Sequence, residues 1–313
     1  MKKTLSLLLA VLMLTLPLVC VANAEADVAG KSVGLAMHFL MDDYAKFFVE
    51  AFGKVMDEAG VKYEITDAKA DAAKQLDDVT SFHTKEVDGL VIVPFDENAV
   101  RDICNEIAAN GTPVVAVTYM PATNVVGTVP GSDYENGYLA GEFMREQMNG
   151  AGKVYIFDTP IVAFRMSERI RGFRKALEGS DIVIDSVKNA TTSEAYMNIT
   201  IDLLNSDPDV TGFFCNYGVP AIGCGQALEQ LGRTDITVVS IDADYSVMQL
   251  IMSGLVQGAA AQFPAIHGEK AAEMILQALR GEPVDQEVEI PHALVTAENA
   301  AEMSVVLWDK VLE

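Results

Sequence analysis

"IDADYSVMQLIMSGLVQGAAAQFP", residues 241–264, sets a carboxylate at the end of one apolar run and an amide at the end of the next, with a helical pattern between them. Two short apolar runs joined by a helix-period segment make a β-α-β unit. In open parallel sheets the carboxyl ends of the strands form the rim where ligands sit. Asp242 and Gln262 therefore mark a rim, and the question is how far the pattern extends through the 313 residues.

It extends almost throughout. Strands are expected at "SVGLAM", "VKYEIT", "DGLVIVP" and "TPVVAVT", separated by helices over 44–59, 72–85 and 98–109. After "PGSDYENG" the scheme restarts: a helix over 134–148, "GKVYIFD", a helix over 165–177, "DIVIDSV", a helix over 193–204, "GFFCN", a helix over 221–231 and "ITVVSID". Apolar strands alternating with helices predict an α/β fold with parallel sheets covered on both faces. Two successive open sheets predict two similar three-layer α/β/α lobes. The absence of a Pro/Ser-rich linker predicts short connections and a cleft between them.

The first residues stand apart. "MKKTLSLLLAVLMLTLPLVCVANAEA" has two lysines, an apolar stretch and Ala22-Asn23-Ala24, the small-x-small pattern of a secretory leader, so residues 1–24 are expected to be a signal peptide. A membrane anchor over 5–21 lacks a basic stop-transfer flank. Lipidation at Cys20 would set Pro17 and Val19 where a leucine and a small residue are expected. The mature chain is expected in the periplasm, soluble and monomeric.

Removal of Lys2 and Lys3 takes the formal charge from −23 to −25, a surface that repels phosphate backbones and anionic lipid and argues against nucleic acid or membrane partners. Cys104, Cys215 and Cys224 have no framework spacing. A Cys215-Cys224 bridge is conceivable in an oxidising compartment, with buried free thiols favoured.

No cofactor, metal or catalytic motif emerges. The glycines of "GVPAIGCG" have the wrong spacing for a phosphate loop and read as helix-packing glycines, and His38, His83, His267 and His292 form no zinc-ligand pair. Asp242 and Asp244, like Asp42 and Asp43, are paired carboxylates that in so acidic a chain are ordinarily solvated or capping. What gathers at the strand ends is polar and aromatic: Asp42, Tyr44, Thr118, Tyr119, Arg165, Arg169, Asn216, Tyr217, Asp242 and Gln262. Carboxylate, amide and guanidinium groups make paired, directed hydrogen bonds while aromatic faces cover C–H surface, a combination suited to a neutral polyhydroxylated ligand.

From about residue 31 to 311 the chain resembles the type I periplasmic sugar-binding proteins, the family of ribose- and galactose-binding proteins whose fold is shared by lactose-repressor-type ligand domains. The carriers are "EAGVKYEITDAKADAAKQLDDVTSFHTKEVDGLVIVPFDENAV", "TPVVAVTY", "SDYENGYLAGE", "RIRGFRKAL", "SDPDV", "VVSID" and "AAQFP". The resemblance implies that Arg169, Asp242 and Gln262 hydrogen-bond sugar hydroxyls. It also implies a three-segment hinge, with one lobe of 27–132 plus 263–292 and a second of 133–262 plus 293–313. It implies a solute-binding protein of an ABC importer, with delivery to a membrane sensor as the alternative, and no enzymatic activity. Departures from the ribose pattern at Asp42, Tyr44, Ala45, Thr118, Tyr119, Thr191 and Tyr217 imply a ligand other than ribose and a pocket with fewer charges and more tyrosine.

Overall fold

Apolar runs that cannot leave a face to water become strands buried on both sides. A computed structural model describes residues 27–120, 123–161, 163–286 and 288–312; the expected leader, 1–24, lies outside the described residues. The first half of the chain gives β1 (Ser32–Met37), α1 (Asp43–Glu58), β2 (Lys62–Asp67), α2 (Ala72–Thr84), β3 (Gly89–Ile92), α3 (Glu97–Ala109), β4 (Val114–Val117) and β5 (Gly127–Val129). These strands form one parallel sheet in the order β2-β1-β3-β4-β5.

The second half gives α4 (Asp133–Gln147), β6 (Ala151–Asp158), α5 (Phe164–Ala176), β7 (Asp181–Asn189), α6 (Ser193–Ser206), β8 (Gly212–Cys215), α7 (Gly218–Leu231), β9 (Thr237–Ile241), α8 (Tyr245–Met252) and β10 (Gly258–Ala261). Then follow α9 (Pro264–Arg280), β11 (Ala293–Thr296) and α10 (Ala300–Trp308). The second sheet runs β11-β10-β9-β8-β6-β7, with β11 antiparallel to β10. Apart from β11, it repeats the strand order of the first. Residue exposure tracks position: β3, β4 and β8 are buried at every residue, whereas β7 alternates along its length, as a sheet-edge strand with one wet face must.

The chain passes between the sheets three times. It leaves β5 for α4, leaves β10 for α9, which packs back on α1 and the first sheet, and returns after α9 to pair β11 with β10. Helices cover both sheets closely because glycine stands at the crossings. A Cβ on Gly137 would lie 1.9 Å from the Arg169 carbonyl oxygen, and one on Gly172 2.0 Å from that of Tyr134, so α4 and α5 touch backbone to backbone. Gly223 of "GVPAIGCG" does the same work in α7, where a Cβ would meet the Ser193 carbonyl oxygen at 2.4 Å. Cys215 and Cys224 are buried free thiols with sulfurs 3.8 Å apart.

Gly172→Ala should push α5 away from α4 at a cost of about 1–3 kcal/mol. Because Arg169 sits one turn earlier on α5 and Asp133 begins α4, ligand binding should weaken in parallel. Urea unfolding and calorimetry on the same variant check both; an unchanged unfolding midpoint would contradict the close crossing.

Candidate functional site

Each β-strand that stops at the cleft hands its last residues to a cavity of about 330 Å³. From the first sheet come His38 and Phe39 after β1, Asp42 and Tyr44 at the start of α1, Phe95 after β3 and Thr118 after β4. From the second come Thr159, Arg165 and Arg169 after β6, Tyr217 after β8, Asp242 and Asp244 after β9, and Gln262 after β10. Asp133, at the first crossing, and Trp308, at the end of α10, complete the wall.

Arg169 organises this arrangement. It is 2% exposed, and its Nε donates to Asp133 Oδ1 at 2.8 Å while Nη1 donates to the Asn216 carbonyl at 3.0 Å and to Asp242 at 3.4 Å. Burial opposes its charge, but Asp242 and Asp133 hold the guanidinium above its ordinary value. Burial pushes the Asp133 carboxyl up, and Arg169 draws it part of the way back. The Gln262 amide donates to Asp242 Oδ1, fixing that carboxylate from the other side.

Asp242 and Thr118 occupy equivalent places in the two sheets. Each follows the fourth strand of its repeat and each has a left-handed backbone, φ 68° and 72° respectively. Asp242 donates its N–H to the Ala260 carbonyl at 3.0 Å, and Thr118 donates to Val129 at 2.8 Å, in both cases at the end of the next strand. Strained non-glycine backbone at paired strand ends, held by the same hydrogen bond, aims both residues at the cavity.

The lobes also touch across the cleft. Phe164 N–H donates to Glu97 Oε1 at 2.9 Å, Arg165 Nη1 donates to the Pro94 carbonyl at 3.1 Å, and Lys310 pairs with Asp43 at 2.9 Å. Tyr44 is tied to α9 through His267 Nδ1 at 2.9 Å. Tyr217 lines the cavity with its Oη 3.2 Å from that of Tyr196.

Eight of the ten expected residues thus line one cavity: Asp42, Tyr44, Thr118, Arg165, Arg169, Tyr217, Asp242 and Gln262. Tyr119 does not. It is half exposed, its ring lies 4.9 Å from that of Phe164, and it lines a separate open groove, because the turn at Thr118 directs the next residue outward. Asn216 is fully buried behind the wall, its amide donating to Asp158 Oδ1 at 2.8 Å and to the Met166 carbonyl at 3.1 Å. Four carboxylates, Asp42, Asp133, Asp242 and Asp244, share the cavity with Arg165 and Arg169. Asp42 both caps α1, accepting from Ala45 N–H at 2.8 Å, and faces the cavity. Sequence reasoning missed His38, Phe39, Phe95, Asp133, Asp244 and Trp308. The first three follow strand ends in "MHF" and "VPF", a usable signal; Trp308 comes from the far end of the chain, placed by its indole N–H on the Ala243 carbonyl at 2.8 Å. No cluster suited to a metal ion occurs among the described residues.

Residues 33–283 match the periplasmic binding protein domain family, and the chain belongs to it. It is 26% identical over 268 residues to the ribose import binding protein RbsB of Bacillus subtilis, covering 85% of this chain and 87% of that one. Its fold is similar to that of an ABC transporter solute-binding protein from Bacillus halodurans with bound myo-inositol, at a TM-score of 0.83 and 23% identity over 90% of this chain and 99% of the other. It is also similar to GanP, a glucose-galactose binding protein from Geobacillus stearothermophilus, at a TM-score of 0.81 and 23% identity over 86% and 98% of the two chains. The chain is therefore a solute-binding protein homologous to the sugar-binding components of ABC transporters.

Replacing Arg169 with leucine strands Asp133 and Asp242 without their shared cation, which should cost about 3–5 kcal/mol of stability. Gln262→Ala removes one hydrogen bond to Asp242, which keeps Arg169, and should lower the melting temperature much less than the Arg169 variant does while weakening ligand binding. Differential scanning calorimetry of the two unliganded variants separates the roles; equal stability in both would contradict the organising role of Arg169.

Proposed function

We propose that the chain is an exported solute-binding protein that closes two lobes around a small sugar-like ligand and presents it to an ABC permease. The observation that carries this reading is the enclosure of one cavity by directed polar groups from both sheets and from the first crossing. Paired carboxylate and guanidinium groups suit vicinal hydroxyls, and Phe39, Phe95, Tyr217 and Trp308 suit the C–H faces of a ring. The moving bodies are 27–132 plus 263–292 and 133–262 plus 293–313, bending at the three crossings. Ligand contacts from both bodies favour the closed arrangement because the open one can make only half of them.

A thermal-shift screen of pentoses, hexoses, polyols and nucleosides, followed by calorimetry, tests the reading, since a ligand that binds only the folded chain raises its melting temperature. At least one compound should bind without being converted to product. Asp242→Ala should weaken it at least tenfold, in line with a charged hydrogen bond worth roughly 1.5–3 kcal/mol. Product formation, or full affinity in the variant, would contradict the proposal. On the same reading the exported chain begins at Glu25, and an intact mass retaining residues 1–24, or carrying lipid at Cys20, would contradict it.

A further inference from the structure

The cations of the cavity are committed, and its carboxylates outnumber them. Arg169 serves Asp133, Asp242 and the Asn216 carbonyl, while Arg165 reaches to the Pro94 carbonyl. Lys310, which does not line the cavity, is held by Asp43. Two guanidinium groups face four carboxylates, which leaves Asp42 and Asp244 without a counter-ion. Asp42 has the Ala45 N–H on one oxygen. Asp244 precedes α8 without making a side-chain cap, and among the described residues it has no hydrogen-bond or salt-bridge partner. Next to it stands Gly218, where a Cβ would fall 2.3 Å from Asp244 Oδ2, so the backbone at the start of α7 closes on the carboxylate and leaves the cavity as its open side.

A second observation comes from the opposite lobe. His38 lines the same cavity, is 7% exposed, and its Nδ1 has no partner among the described residues. A buried polar group left in this way costs stability unless a ligand completes it. A neutral imidazole can serve a hydroxyl as donor or acceptor. The wall thus offers hydroxyl-binding groups around Arg169 and His38 and, apart from them, two carboxyls, Asp42 and Asp244, that no cation of the protein pairs with.

Resting on the solute-binding reading above, we propose that Asp42 and Asp244 seat a protonated amine, and that the ligand is a polyhydroxylated ring bearing an ammonium group, an amino sugar or an aminocyclitol. An ammonium between the two carboxylates supplies the missing counter-charge and has three donors to share among their oxygens. A neutral polyol supplies no cation, so beside it the Asp244 carboxyl keeps its proton and gains no ion pair.

The electrostatics give the proposal a pH signature. Burial pushes the Asp244 carboxyl up to about 8, helped by Asp242 at the end of β9 and by Asp42 and Asp43 at the start of α1, and opposed by Arg169 on α5. The neighbouring first turn of α7, with Gly218 and Val219, and the Trp308 indole bring no charge. Burial likewise pushes Asp42 up to about 6 against the pull of the Ala45 N–H. Without a cationic partner the Asp244 carboxyl is therefore drawn toward its protonated form near neutral pH. An arriving ammonium favours the ionised form and releases that proton, so affinity for an amine should rise with pH below about 8, by about tenfold per unit for one linked proton.

The test is calorimetry on the whole mature chain with matched pairs: D-glucosamine against D-glucose, D-galactosamine against D-galactose, and an aminodeoxyinositol against myo-inositol. In at least one pair the amine should bind ten or more times tighter than its neutral partner at pH 7.0. It should gain about tenfold from pH 6.0 to 7.0 and release a proton, detected by comparing buffers of different ionisation enthalpy. In Asp244→Asn and in Asp42→Asn the ratio within that pair should fall toward one, and in Asp244→Asn the pH gain should shrink. Neutral members binding as tightly as the amines, or an amine preference that survives in Asp244→Asn, would overturn the amine proposal and leave the solute-binding reading standing. Binding by no member of any pair would overturn the amine proposal and count against the polyol reading as well.

Discussion

The Arg169 guanidinium is the constraint on which the site depends. A buried cation is tolerated only where anions and carbonyls surround it, and Arg169 finds them on three separate segments: Asp133 at the first crossing, the Asn216 carbonyl at the end of β8, and Asp242 at the end of β9. One side chain therefore sets the relative positions of α4, α5 and two strand ends. Gly137 and Gly172 let it do so, because a larger residue at either place would move the helix that carries Arg169 away from the helix that begins with Asp133.

The contacts that join the lobes are weaker in kind. The Lys310 and Asp43 side chains are 40% and 35% exposed, and such a pair contributes about 0–1 kcal/mol. The Glu97 to Phe164 and Arg165 to Pro94 hydrogen bonds are single links at the cleft edge. A second-lobe site tied together by Arg169 and facing a first lobe held by so few contacts is what the proposed closure requires, because a ligand touching both sides would then decide the closed state. The paired left-handed residues Thr118 and Asp242 show the same economy: each sheet presents one strained strand end, fixed by its neighbour, at the shared surface.

Much of this was legible in the sequence because parallel strands buried on both faces are written as apolar runs, and the rim residues are the polar ones that follow. That logic found Asp242, Gln262, Arg169, Arg165, Asp42, Tyr44 and Tyr217. It failed where a local turn reverses direction: Tyr119 follows the left-handed Thr118 and points out, while Asn216 ends β8 but turns inward to Asp158. β5, with three residues, is too short to carry a periodic signal. The start of α7 at Gly218 rather than 221 was hidden by glycine and proline in its first turn. In sequence Asp244 reads as one more solvated carboxylate of an acidic chain, and only the tertiary approach of Gly218 shows that it faces a cavity.

On this account binding and bending are one event. Small-angle scattering of the mature chain, with and without a ligand identified by calorimetry, measures that directly. The account predicts a smaller radius of gyration at saturation with an unchanged far-UV circular dichroism spectrum, the lobes moving as bodies about the three crossings. An unchanged radius of gyration under the same saturation would contradict it.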